Sequence, residues 1–95
     1  MSAPIILGVD PGKTGALAWV RDAELLWVVD MPDLTGAALG AQLTDLILDC
    51  RPDMAVVEKV GAMPKQGVAS VWTFAEGYGV LLGTLGALGV PITLV

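Results

Sequence analysis

Histidine is absent from this 95-residue chain, and cysteine occurs once, at Cys50. These two gaps exclude an intrachain disulfide, a cysteine-rich zinc site and the common histidine-containing zinc constellations. A lone cysteine fits a reducing compartment, so a cytoplasmic setting is expected. Basic residues are also scarce: five Lys and Arg stand against ten Asp and Glu, for a net charge of -5. That sign opposes bulk electrostatic attraction to a phosphate backbone. It does not exclude nucleic acid, because carboxylates gathered at a metal site are compensated once cations bind. Charged residues make up only 16% and apolar ones 55%, which excludes a disordered polar chain. The Met1-Ser2-Ala3-Pro4 start has no basic region, and Asp10 and Pro11 interrupt the first apolar run, so the pattern is not a signal peptide. From Gly77 to Val95 no residue is charged, a length that raises the question of a membrane span. The glycines, Pro91 and the change of pattern near Gly89 argue instead for a buried helix followed by a buried strand, with no membrane association.

The length supports a single domain, residues 1–95, around one core. No internal repeat, low-complexity segment or linker interrupts it. Pro4 to Asp10 is an apolar run of strand length that ends in an acid before the turn signal Pro11-Gly12. Gly15 to Val20 and Leu25 to Val29 read as two further strands around the polar turn Arg21-Asp22-Ala23, making an antiparallel meander. Thr35 is placed to cap a helix in which Leu39, Leu43, Leu46, Ile47 and Cys50 recur at helical spacing, and Arg51-Pro52 ends it. Met54 to Val57 is a short buried strand reached by that helical crossover, and it ends at Glu58. Gly61 to Gly67 reads as a loop, Val68 to Leu88 as a long helix and Ile92 to Val95 as a last strand. The order βββαβαβ implies an α/β fold on a mixed sheet.

Two acids thus close two strands. If the first and fourth strands are parallel neighbours, Asp10 and Glu58 emerge at one sheet edge and together bind or bridge divalent cations. Hard oxygen donors favour magnesium or manganese. Two such ions roughly 3.5–4 Å apart would activate a water and orient a phosphodiester. The plainer alternatives are a turn-forming Asp10 and a solvated strand end for Glu58; their joint placement favours the metal. Lys13 and Thr14 after the first acid, and Lys65 and Gln66 after the second, are candidates for contact with a nucleic-acid backbone, against the simpler reading of solvated loop residues. Trp72 and Phe74 sit at helical positions that favour core or subunit contact over base stacking. Two tempting motifs fail. The run GVDPGKT leaves three residues between its glycines where a phosphate-binding loop needs four, and no strand precedes the glycines from Gly77, which more simply let a helix pack closely. No organic cofactor is expected.

Three segments in order, GVDPGKTGALAWV, AVVEKV with its AMPKQG loop, and VWTFAEGYGVLLGTLGALGVPITLV, resemble the RuvC-like Holliday junction resolvases over nearly the whole chain. The resemblance implies a ribonuclease H-like five-stranded sheet and a homodimeric, magnesium-dependent endonuclease that cuts branched DNA. It assigns Asp10 and Glu58 as catalytic magnesium ligands. It also makes Trp72, Phe74, Gly79 and Gly83, on the long helix, candidates for the dimer interface. Members of the family carry further acidic ligands on a helix after the fifth strand. This chain reaches Val95 on an apolar strand, so it is expected to lack the final helix and to hold only part of the active site. Asp30, Asp33, Asp45, Asp49 and Asp53 match no catalytic position. The competing readings are a non-catalytic dimerising fragment or degenerate resolvase domain and, more weakly, an ATP-binding domain of the actin and sugar-kinase type, whose two large lobes this length does not supply.

Overall fold

A computed structural model describes residues 3–59 and 67–95 of the chain. Its elements are β1 (Ile6–Asp10), β2 (Ala16–Arg21), β3 (Glu24–Asp30), α1 (Gly36–Asp49), β4 (Met54–Val57), α2 (Val68–Ala87) and β5 (Ile92–Leu94). This is the expected βββαβαβ order. The strands form one five-stranded sheet in the order β3-β2-β1-β4-β5, antiparallel across the meander and parallel where β4 joins β1 and β5. The crossover through α1 makes the β1–β4 pair parallel, because a helix must carry the chain back to the starting edge of the sheet.

Alternation along the strands decides which face is covered. Leu7 and Val9 of β1, Leu17 and Trp19 of β2, and Ala55 and Val57 of β4 point to one side and are buried. There they meet Leu39, Leu43 and Ile47 of α1 and Leu81 and Leu85 of α2 in one cluster. Ile6, Gly8, Asp10, Met54 and Val56, at alternate positions, take the opposite face. Both described helices therefore pack on the same side of the sheet.

Several local features fasten this arrangement. Asp22 and Ala23 form the two-residue β2–β3 turn with φ of 52° and 61°, the left-handed backbone that such hairpins demand. The buried Trp19 indole donates to the Cys50 carbonyl oxygen at 2.6 Å, tying β2 to the end of α1, and its ring stacks on Trp27 of β3 at 4.7 Å. The Ile5 backbone N–H donates to the Asp53 carboxylate at 2.7 Å, and the Asp53 N–H returns a bond to the Ile5 carbonyl at 2.8 Å, joining the entrances of β1 and β4. The Arg51 guanidinium donates to the Leu88 carbonyl at the end of α2, a place where the helix dipole favours a cation.

Two expectations are corrected. Thr35 occupies the N-cap position of α1, but its hydroxyl makes no capping bond. The uncharged stretch from Gly77 is not buried throughout: only Leu81 and Leu85 of α2 and Val90 after it are buried, and Thr93 and Leu94 are exposed. The physical reason is that α2 buries one stripe while β5 is an edge strand. Among the described residues no helix is long and apolar enough to cross a membrane.

Candidate metal centre

Asp10 is the last residue of β1, and Glu58 is the first residue after β4. Val9 and Val57 are partners in the parallel ladder, and the Glu58 N–H donates to the Val9 carbonyl at 3.2 Å. The two acids are thus the next residues along neighbouring parallel strands. They leave the sheet at one edge, on the pleat face opposite the helices, and both are exposed.

The turn after Asp10 depends on a particular glycine. Gly15 is buried, its N–H donates to the Gly12 carbonyl at 2.9 Å and its own carbonyl accepts from the Met31 N–H at 2.9 Å. A Cβ on Gly15 would lie 2.0 Å from the Asp10 carbonyl oxygen, so only glycine lets the chain fold back against the end of β1. The Asp10 carboxylate accepts a long bond from the Gly12 N–H at 3.4 Å. Turn formation and ligation are therefore compatible at Asp10: one oxygen steadies the turn while the exposed carboxylate faces solvent.

Glu58 is held from two further directions. The Tyr78 hydroxyl on α2 donates to the Glu58 carbonyl at 3.4 Å, and the next residue's N–H, that of Lys59, donates to the Val95 carbonyl at 2.7 Å. Tyr78 itself stacks on Phe74 with centroids 6.2 Å apart. The sequence reading did not single out Tyr78. Its spacing from Phe74 marks a shared helix face, but nothing in the sequence says that the face reaches Glu58.

Asp30 also comes to this edge, because Ala16 pairs with both Asp10 and Asp30. It stands two strands away from Asp10, and among the described residues no three potential metal-ligating side chains gather closely enough to hold an ion. Asp53 is occupied by the Ile5 N–H, while Asp33, Asp45 and Asp49 are exposed outside the pair. Lys13 and Thr14 are exposed in the turn directly after Asp10. Lys65 and Gln66 lie outside the described residues, as does most of the loop expected from Gly61.

The four residues singled out on α2 are not equivalent. Trp72 is 72% exposed, which removes the core reading for it, and Phe74 is half-buried against Tyr78. Gly79 and Gly83 are exposed, with no atom within 4 Å of an added Cβ, so they do not bring helices together within this chain. Close approach of α1 and α2 occurs elsewhere: a Cβ on Gly40 would touch Val80 at 3.6 Å, and one on Gly77 would touch Leu39 at 3.9 Å. A groove between the helices is lined by Gly36, Gly40, Thr44, Gly83 and Thr84 among others and contains neither carboxylate.

Chemically, two exposed carboxylates with hard oxygen atoms fit magnesium, which is commonly held by one or two carboxylates and completed by water and substrate phosphate. They are poor company for softer metals, which prefer nitrogen or sulfur.

No known protein family and no curated protein matches this sequence. Among solved structures, the chain is similar to T. thermophilus RuvC in complex with a Holliday junction substrate, with a TM-score of 0.72 and 20% identity, over 97% of this chain and 64% of that one. It is also similar to a Thermus thermophilus RuvC structure, with a TM-score of 0.65 and 22% identity, over 96% of this chain and 63% of that one. It thus spans just under two thirds of the length of these relatives. The order of its strands and the direction in which each runs give the chain a RuvC-like, ribonuclease H-like fold, with a mixed five-stranded sheet whose first strand ends in Asp10 and whose fourth is followed directly by Glu58.

Proposed function

We propose that this chain is a metal-dependent, structure-selective endonuclease domain of the Holliday junction resolvase type, acting on phosphodiesters of branched DNA. One observation carries the proposal: Asp10 and Glu58 leave adjacent parallel strands at the same exposed edge. The fold likeness supports it, since one of the similar RuvC structures holds a Holliday junction substrate.

In this reading Asp10 and Glu58 hold magnesium or manganese, which supplies charge neutralisation at the phosphodiester and a more acidic water. The chain's own part is to hold the two carboxylates at a fixed separation, through the β1–β4 ladder, the Gly15 turn and the Tyr78 contact. Lys13 and Thr14, with Lys65 and Gln66, contact the DNA backbone, and the two lysines offset part of the acidic surface. Trp72, Gly79 and Gly83 belong to an exposed face of α2 that pairs two subunits, while Phe74, half-buried against Tyr78 on the inward side of the helix, takes no part in it. That face has something to offer a partner, since Val68, Val71 and Trp72 are all exposed on it.

A second reading has an observation in its favour. Two carboxylates are fewer than a two-metal site needs, and no third ligand gathers with them among the described residues. On that basis the chain is a non-catalytic, dimerising domain of the same fold. Incubation with a four-way junction and a linear duplex of matched sequence, in magnesium or manganese, separates the two. Junction-selective cleavage that disappears in Asp10→Asn and Glu58→Gln supports the nuclease. Junction binding without cleavage supports the second reading, and activity unchanged in both variants removes Asp10 and Glu58 from the chemistry.

A further inference from the structure

The end strand β3 raises a question that metal chemistry does not answer. Among the described residues, nothing pairs with its outer edge. At seven residues it is a long edge, against three for β5 at the other end of the sheet. Its sequence ELLWVVD contains no proline and no lysine, and Leu25, Leu26, Trp27 and Val28 are consecutively exposed, at 58%, 43%, 36% and 51%. Sheet proteins normally blunt such an edge with proline, lysine or a covering element, because its unpaired N–H and C=O groups invite another strand. Here the only charged groups on the strand are the acids at its two ends, Glu24 and Asp30, with Asp22 in the adjoining turn. Arg21 pairs with Glu24 across the hairpin, but its Nε–H donates to the Ala3 carbonyl at 3.2 Å.

This charge pattern selects among occupants. A second copy of β3 added antiparallel about Trp27 would match apolar residues along the middle but set Glu24 against Asp30 at both ends, and like charges directly opposite are unfavourable. A strand with apolar residues between two basic ends meets opposite charge at each end, whichever way it runs.

We propose that the outer edge of β3 takes up an extended, basic-ended segment of another protein as a sixth strand of the sheet. Backbone hydrogen bonds supply the affinity and the exposed Leu25–Val28 surface adds apolar contact. Glu24 and Asp30 supply the selectivity for basic ends and against the chain's own copy.

The test is a titration of the isotopically labelled chain with a synthetic heptapeptide of alternating valine and threonine flanked by lysines, and with its glutamate-flanked counterpart. The lysine-flanked peptide should shift the amide signals of residues 24–30 and slow their hydrogen exchange, binding roughly tenfold more tightly than the other, the size expected for reversing two cross-strand charge pairs. The double variant Glu24→Lys with Asp30→Lys should invert the preference; both sites are exposed, so it should still fold. Equal binding of the two peptides, no binding, or shifts centred away from β3 would overturn the proposal. So would concentration-dependent protection of the same amides without peptide, which would identify a second copy as the occupant. None of these readouts depends on metal or DNA cleavage.

Discussion

Replacing Gly15 with alanine is the sharpest perturbation of the geometry around Asp10. The new methyl would stand 2.0 Å from the Asp10 carbonyl oxygen, 2.8 Å from its carbon and 2.9 Å from the Gly12 carbonyl oxygen. All three are backbone atoms, so no side chain can swing aside. Relief requires the chain to open between Asp10 and Gly15, which breaks the 2.9 Å bond from the Gly15 N–H to Gly12 and strains the 2.9 Å bond from Met31 to Gly15. Losing one buried backbone bond and weakening a second costs about 2–4 kcal/mol, a large share of the ~5–15 kcal/mol that holds a domain folded. For a domain of this size that is a fall in Tm of roughly 8–30 °C. The comparison is Gly12→Ala, where the methyl would meet only the Asp10 carboxylate, at an ordinary 3.8 Å. Urea unfolding followed by tryptophan fluorescence measures both variants, and an unchanged m-value would confirm that stability alone moved. A Gly15→Ala loss below about 0.5 kcal/mol, or one no greater than that of Gly12→Ala, would refute the reasoning.

Ala23→Gly should stabilise the chain by about 0.5–1 kcal/mol, because Ala23 holds φ at 61° in the β2–β3 turn; a decrease in the urea midpoint would contradict this. Trp19→Phe should cost about 2–4 kcal/mol by circular dichroism melts, since it strips the 2.6 Å bond from the Cys50 carbonyl and leaves space in the core, and a loss under ~1 kcal/mol would show that water or repacking replaces both. Trp72→Glu should leave stability within about 0.5 kcal/mol while shifting sedimentation from dimer to monomer. A wild-type chain that sediments as a monomer would remove α2 as the pairing surface.

The features of the fold most legible in the sequence were those carried by local periodicity. The run ending at Asp10 and the run ending at Glu58 each announced a strand, and the leucines from Leu39 to Leu43 announced the helix between them, which together imply the parallel β1–β4 pair. Other features depend on how elements meet. Gly12 and Gly15 look alike in the sequence, yet only Gly15 lies against the Asp10 carbonyl, because that contact is set by the path of the turn. Asp30 follows the Leu25–Val29 run and matches no catalytic position in the sequence, and only the antiparallel register through Ala16 carries it to the edge shared with Asp10. Tyr78 reaches Glu58 through the packing angle of α2, which no spacing encodes. The apolar composition after Gly77 suggested burial on all sides, but a helix on one face of a sheet buries a single stripe, and the exposed remainder became visible only once α2 was placed.

The central claim is that Asp10 and Glu58 act together on a divalent cation. The most direct measurement is a manganese titration of the isotopically labelled chain, read as paramagnetic broadening of each amide signal. The account predicts that Asp10, Gly12 and Glu58 broaden together at the lowest manganese concentrations, and that Asp10→Asn or Glu58→Gln abolishes the effect at both strand ends. Broadening confined to other acids such as Asp45 or Asp49, or broadening at the strand ends that survives both substitutions, would contradict it.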